Sequence, residues 1–398
     1  MIAIGMSPAG GGGAAPAPSG GYVPPSDWLE LPSITAGENK FAGVVAVWDV
    51  STNYVTIEVT VDSGTWSVDW GDGNSQTGIA SGTTVEHNLS YAGATGDLTT
   101  RGYKTALVIV TTSGGNITEI NLENQHSSAT SDIIAPWLNI RLAGSSITNF
   151  QMKTGAFGID FYLLEQLDFV GTNSITTNGS RFLYLLYGLR KVVNLDTSTF
   201  TSVNQFLEST DVLQELPTID LSSEDNISGS FDSLGLPKIS LSNLGSITNM
   251  QQAFSGSNYI EIEADGSATT ALTNMNIAFR TNPLLVKLPD LGDTSGVTIW
   301  QWAFRDCPSL REIPAYDLSG GTNFSQWTSG SPSISRILAY GATVTHSIAD
   351  LNLGVTEIEE YATNLGDGTG QTITTSGNPA SGSWDTTIAT NKNWTVVD

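Results

Sequence analysis

Apolar residues return along this chain in pairs of the form L-x-x-L, at Leu164/Leu167, Leu189/Val192, Leu213/Leu216, Leu236/Ile239, Tyr259/Ile262, Leu285/Leu288 and Leu310/Ile313, spaced 23 to 26 residues apart. Ile334/Ile337 adds an eighth pair 24 residues on. An aromatic ring keeps step ahead of them, at Phe157, Phe182, Phe206, Phe231, Phe254, Phe279 and Phe304, with spacings of 23 to 25 residues. Two marks sharing one period of this length predict a solenoid of stacked coils whose repeat core is that aromatic column. Each unit reads as a short helical turn carrying the aromatic, a bend, a strand of the form L-x-x-L-x-x-[IL]-x-L, and a polar loop. Met250 and Phe254, Met275 and Phe279, and Trp300 and Phe304 are four apart, which sets both members of each pair on the inner face of a helical turn.

One such unit buries too few apolar side chains to offset the entropy of ordering its backbone, so stability has to grow with stacking. The ends then need caps. Upstream, Ile117, Ile120 and Leu122 begin a first strand and 138–142 a second. Downstream, Val355, Ile358 and Ile373 precede a final segment that breaks the period and is rich in aromatics, with Trp384 and Trp394. The expected division is a Gly/Pro-rich anchoring segment at 1–25, a β-sandwich at 26–112, the repeat solenoid at 113–375 and a C-terminal cap at 376–398.

The pattern differs between Trp28 and Thr112. Val55, Ile57, Val59 and Val61 alternate with Thr56, Glu58 and Thr60, the signature of a half-buried strand. Similar runs at 42–50, 65–70, 83–89 and 104–112, separated by Gly, Asp, Asn and Ser, predict a small sandwich. Its sharpest local feature is the turn Asp69-Trp70-Gly71-Asp72-Gly73, in which the glycines supply positive φ and Asp72 can close the turn on nearby backbone N–H groups. The alternative use of Asp69, Asp72 and Asn74 is a calcium site, but their spacing matches no established loop. With this W-G-D-G turn the segment resembles the PKD (polycystic kidney disease) domain, an immunoglobulin-like sandwich; Glu86 to Tyr91 only approximates the strand ending of that family. The resemblance implies a spacer or adhesion module.

The strings N-M-x-x-A-F at 274–279, D-C-P-S-L at 306–310 and D-L-S at 317–319 resemble the BspA-type leucine-rich repeats, over about 250 residues. Members of that family occur in bacterial surface proteins and in bacteriophage virion proteins, where they bind other surfaces. The implied fold class is therefore mainly β, an immunoglobulin-like (PKD-like) β-sandwich followed by a leucine-rich-repeat solenoid with short helical turns.

Composition narrows the partners. Fifteen Lys and Arg face 39 Asp and Glu, a formal net charge of −24. Such a surface repels nucleic acid and anionic lipid, so neither is an expected partner. No apolar run reaches the length that spans a bilayer, and membrane insertion is not expected. Cys307 is the single cysteine, which excludes an internal disulfide and a Cys-based zinc site. The start of the chain lacks the basic region and apolar run of a signal peptide, and residues 3 to 25 are almost entirely Gly, Ala, Pro and Ser. They read as a flexible segment that anchors the protein to other virion proteins.

No catalytic motif, cofactor fingerprint or metal-ligand spacing is present: His87, His126 and His346 lie far apart in sequence. Asp196, Asp220 and Asp317 recur at one register with Asp290 nearby; a pair on neighbouring coils could cleave a glycosidic bond, whereas a repeated turn-capping role explains all of them at once. Trp302 and Trp327 are 25 residues apart, two positions from the Phe304 register; on a helical turn they are outward-facing rings suited to a sugar or a partner's apolar patch, whereas an irregular turn buries them, and the sequence leaves both readings open. The expected ligand or partner surface comprises Trp300, Trp302, Tyr316, Phe324, Trp327 and Tyr340. Together these features predict a non-enzymatic phage structural protein, a tail or head fibre or appendage on the particle surface, binding a host glycan or protein and open to homo-oligomerisation. A bacterial cell-surface adhesin, a polysaccharide-degrading tailspike and a decoration protein without external ligand are the alternatives.

Overall fold

The alternating apolar runs form β1 (Lys40–Val47), β2 (Tyr54–Val61), β3 (Thr65–Asp69), β4 (Ser75–Ile79), β5 (Thr83–Asn88) and β6 (Lys104–Ser113) in the computed structural model, which describes residues 21–129, 133–152, 159–171, 174–176, 182–267 and 269–398. Residues 1–20 of the N-terminal segment and Phe157 lie outside the described residues. β4 has no counterpart in the sequence reading, because this strand at the sheet margin buries no residue and so carries no apolar alternation. There follow β7 (Ile117–Asn121), β8 (Ile133–Ile134), β9 (Trp137–Ala143), β10 (Asn149–Gln151), β11 (Ile159–Asp160), β12 (Gln166–Val170) and β13 (Lys191–Val193).

Two sheets organise this half of the chain, one of order β13-β12-β9-β1-β6-β3-β4 and one of order β10-β7-β2-β5. β1 runs antiparallel to both β6 and β9, whereas β9, β12 and β13 are mutually parallel. In the second sheet β2 is antiparallel to β5 and β7, and β7 is parallel to β10. Each sheet thus changes from antiparallel to parallel without a break. The expected boundary between 112 and 113 separates no independent bodies: the first coils of the solenoid are laid directly on the edges of the antiparallel module. One buried core extends from Phe41 to Trp394. Unpaired strand edges invite further pairing, and here the module's edges serve as the template for the stack.

The chain just ahead of β1 straps the outer face of the larger sheet. Trp28 packs with Val44, Ala46, Tyr103 and Leu138, and Ile34 with Ala42 and Ala143. Tyr22 donates its hydroxyl hydrogen to Glu165, a buried carboxylate that Arg101 and Arg190 also engage.

The remainder is a β-solenoid; the protein is mainly β, with about 10 turns of coil. Short parallel strands such as Ile219–Asp220, Lys238–Ser242 and Glu261–Ala264 stack coil on coil. The Phe rings follow the same axis: Phe231, Phe254, Phe279 and Phe304 stack at 5.4–5.8 Å between centroids, within 14° of parallel. Phe182 and Phe206 continue the buried column toward the module.

The aromatic turns are not helical, contrary to expectation. Gln252, Ile277 and Trp302 are left-handed at φ 58°, 64° and 56°, and so are Gly256, Thr281 and Asp306 four residues on. Each such turn donates every second N–H to the next coil, as in Met250, Gln252, Phe254 and Gly256 to the carbonyls of Asn274, Asn276, Ala278 and Arg280. Both apolar partners still point inward, but the stack, not a helical ladder, satisfies the backbone. Thr273, Thr298 and Thr322 each bring N–H and Oγ1–H to one carbonyl of the coil before.

Val355 and Ile358, expected to continue the strand repeat, instead open α1 (Val355–Asn364), whose Ile358, Tyr361 and Ala362 are buried. The segment 376–398 holds α2 (Thr387–Thr390) and a strand, Thr395–Val397, that pairs in parallel with Thr372–Thr374, so the cap itself completes a further coil over buried Trp384 and Trp394. Among the described residues no helix is long and apolar enough to cross a membrane.

Candidate functional site

The recurring aspartates are turn caps. Oδ1 of Asp196, Asp220, Asp290 and Asp317 accepts the N–H two residues on, from Ser198, Ser222, Gly292 and Ser319, at 2.8–3.0 Å. Burial pulls Asp220 upward, but the hydrogen bonds of Ser222 and Asn243 outweigh it and hold the carboxyl below its ordinary range. The same chemistry closes the turn of the antiparallel module. Asp69 accepts from Gly71 N–H at 2.9 Å; Asp72 accepts from Asn74 N–H through Oδ1 and from Ser90 N–H through Oδ2, which also meets His87 Nε2 at 2.9 Å. Trp70 is buried with its ring stacked on His87. Gly71 and Gly73 have φ of 72° and 89°, and a Cβ on Gly71 would fall 2.5 Å from Leu107 N. No cluster of three metal-holding side chains occurs among the described residues.

The expected aromatic surface does not assemble. Trp300, Tyr316, Phe324 and Trp327 are buried, at most 3% exposed. Trp300 and Phe324 stack on each other at 6.3 Å inside the solenoid, and Tyr316 donates its hydroxyl hydrogen to the Pro289 carbonyl. The reason is register. Trp302 N–H binds Ser325 O and Phe304 N–H binds Trp327 O, which sets Gln326 above Trp302 and turns Trp327 inward, 6.0 Å from the Phe304 ring. Of the six residues, Trp302 and Tyr340 reach solvent, on different parts of the coil. Tyr340 bridges to Asp317 after the strand, whereas Trp302 sits on the aromatic turn. Its left-handed backbone carries the indole outward between buried Trp300 and Ala303.

Trp302 has company that the sequence reading missed. The guanidinium carbons of Arg280 and Arg305 lie 5.5 and 5.7 Å from the indole centroid. Indole Nε1–H donates to Gln326 Oε1 at 3.1 Å, and the same oxygen accepts from Arg305 Nη1 at 2.7 Å. Arg305 Nε also reaches Asp306 Oδ2 at 3.1 Å, while Arg280 Nε is buried without a partner among the described residues. The visible signal was the dipeptide Phe-Arg at 279–280 and again at 304–305.

The strand face follows a different rule. Lys191 lies over Glu215, Lys238 over Glu261, Glu261 over Lys287, and Glu312 over Arg336, which reaches on to Glu360. Sign alternates from coil to coil. Ion pairs join Lys191 to Glu215, Lys287 to Glu261 and Arg336 to Glu360. Beside this ladder a cleft of about 490 Å³ is lined by Lys287, Asp290, Glu312, Pro314 and Tyr316. In each coil from Lys191 to Arg336 the charged residue of the ladder is the third position of the L-x-x-L pair itself, so the alternation was readable once the coils were aligned.

Cys307 is a core residue: its Sγ–H points at the Phe279 carbonyl, and burial pushes the thiol up to about 12. Comparison with protein-family models, with curated proteins and with solved structures returned no match.

Proposed function

We propose that this is a non-enzymatic structural and binding protein, a virion appendage of the tail-fibre or head-fibre kind on the particle surface. In this reading the N-terminal segment joins other virion proteins, the antiparallel module is a PKD-like spacer, and the solenoid, of BspA-type leucine-rich repeats, presents its turn face to a host-surface glycan or protein. The observation that carries the reading is that turn face. Trp302 surfaces there with Arg280 and Arg305 against its ring and Gln326 bonded to its indole, an aromatic ring among hydrogen-bonding groups on a stiff scaffold. The aspartates that a tailspike hydrolase would use are committed to turn capping, and the net charge of −24 argues against nucleic acid as the partner.

The test is direct. Antibodies against the chain should decorate one class of appendage on purified phage particles, and the full chain should bind host cells. A chain deleted for residues 1–20, which keeps the Tyr22 contact with Glu165, should bind cells yet stay off the particle. Incorporation of the deleted chain would overturn the anchoring role, and absence of the full chain from particles would overturn the virion reading.

A further inference from the structure

Arg280 and Arg305 occupy equivalent places on neighbouring coils: Thr281 N–H binds Arg305 O at 2.9 Å, and stacked coils are about 4.8 Å apart. On the strand face the fold sets opposite charges on neighbouring coils wherever it places two. Here it sets like on like, in a chain that has 15 basic residues against 39 acidic ones. Both guanidinium carbons lie within 5.7 Å of one indole centroid, so the two like charges are separated by no more than the width of that ring and its two contacts; they repel, and the repulsion is relieved when an anion reaches both. Asp306 engages Nε of Arg305, whereas no ion pair joins Arg280 to a carboxylate among the described residues. Trp302 fixes both groups by cation–π contact, and Gln326 ties the indole to Arg305, so the pair is preorganised.

We propose that Arg280 and Arg305, spaced by Trp302, form a binding site for an oxyanion, a carboxylate or a sulfate ester, carried on an otherwise neutral oligosaccharide. This rests on the surface-binding reading above and names its ligand class. The argument for a saccharide is the surround: Asn276 and Gln301 share the arginines' own turns, Gln252 lies on the coil before and Ser325 and Gln326 on the coil after, and their amides and hydroxyl match sugar hydroxyls. The argument for a single anion is the net charge, since a chain at −24 repels a long polyanion beyond one local contact.

Titration calorimetry on the full chain, at roughly physiological salt where the Debye length is about 8 Å, decides the matter. The probes are a trisaccharide bearing one glucuronate, one of equal length bearing one sulfate ester, and neutral maltotriose. At least one acidic probe should bind at least tenfold tighter than maltotriose, and which of the two does so identifies the anion. Arg280→Gln and Arg305→Gln should each weaken that binding about tenfold and the double variant should abolish it, while Lys287→Gln on the strand face leaves it unchanged. Melting temperatures of the variants within a few degrees of the parent establish that folding is intact; Arg280→Lys, which keeps the charge, serves as a second test by retaining partial binding. Equal binding by the double variant, equal affinity for maltotriose, or equal binding of a short single-stranded DNA would overturn the site. Host-cell binding that survives in the double variant removes this inference alone; a full chain that binds neither cells nor any probe removes the surface-binding reading with it.

Discussion

Tyr361 donates its phenolic hydrogen to Nε2 of His346 at 2.8 Å, in a site where both side chains are buried. Nδ1 of the same ring lies 2.8 Å from the Val344 carbonyl, which can only accept, so the proton sits on Nδ1 and the ring is neutral. Burial pushes the imidazole down to about 4 from 6.5. Between those values the unfolded chain binds a proton that the folded chain refuses. The stability contributed by neutral His346 is therefore complete above pH 6.5 and lost as pH falls toward 4, by roughly 3 kcal/mol. Glu224 titrates in the opposite sense, pushed by burial up to about 7, so the measurement has to be a difference. His346→Gln should be less stable than the parent at pH 7, with the gap in melting temperature narrowing by pH 5. Parallel curves across that range would refute the assignment.

Phe279 lies between Phe254 and Phe304, at 5.4 and 5.8 Å, fully buried. Phe279→Ala should cost about 3–5 kcal/mol, since neighbouring coils cannot collapse into the cavity without breaking their own hydrogen bonds. Phe279→Leu should cost distinctly less. Because the coils form a one-dimensional array, urea unfolding of the alanine variant should also broaden or split into two steps. A loss under about 1 kcal/mol would mean that the aromatic column is dispensable.

Asp220 holds the N–H of Ser222 and the side-chain amide of Asn243 on the next coil. An asparagine keeps the accepting oxygen and an alanine does not. Asp220→Asn should leave stability nearly unchanged, whereas Asp220→Ala should lose about 1 kcal/mol. A hydrolytic role predicts the reverse sensitivity, with Asp220→Asn abolishing cleavage of host polysaccharide at full stability.

Lys287 stands against Glu261 with Glu312 on the coil beyond. Lys287→Glu places three acidic residues in succession and should lower the melting temperature at low salt, an effect that shrinks in molar NaCl. Pairing it with Glu261→Lys restores one opposite-charge contact but sets the introduced ammonium against that of Lys238, so recovery should be partial. Full recovery would show that only the local pair matters and not the alternation.

The repeat was legible because burial leaves two periodic marks, and Asp196, Asp220, Asp290 and Asp317 were legible as caps because one chemistry recurs at one place. The Trp302 surroundings were not, for a physical reason. A spacing of 25 residues suggested one register for Trp302 and Trp327, but the backbone pairs residue 302 with 326, and one residue decides between core and solvent. The L-x-x-L spacing of Val355 and Ile358 was ambiguous in a similar way, because apolar residues three apart also share a helix face; the run Glu357, Glu359, Glu360 and Ala362 favours the helix that forms. β4 lacked any apolar signal to read.

β1 is hydrogen-bonded on one side to β6 and on the other to β9, so the join between module and coils contains strands where a linker would otherwise run. A joint of that kind does not swing. Whatever grips the base of the molecule also sets the bearing of its tip, and a load applied at the far coils travels down a single stiff lever instead of being absorbed at an elbow.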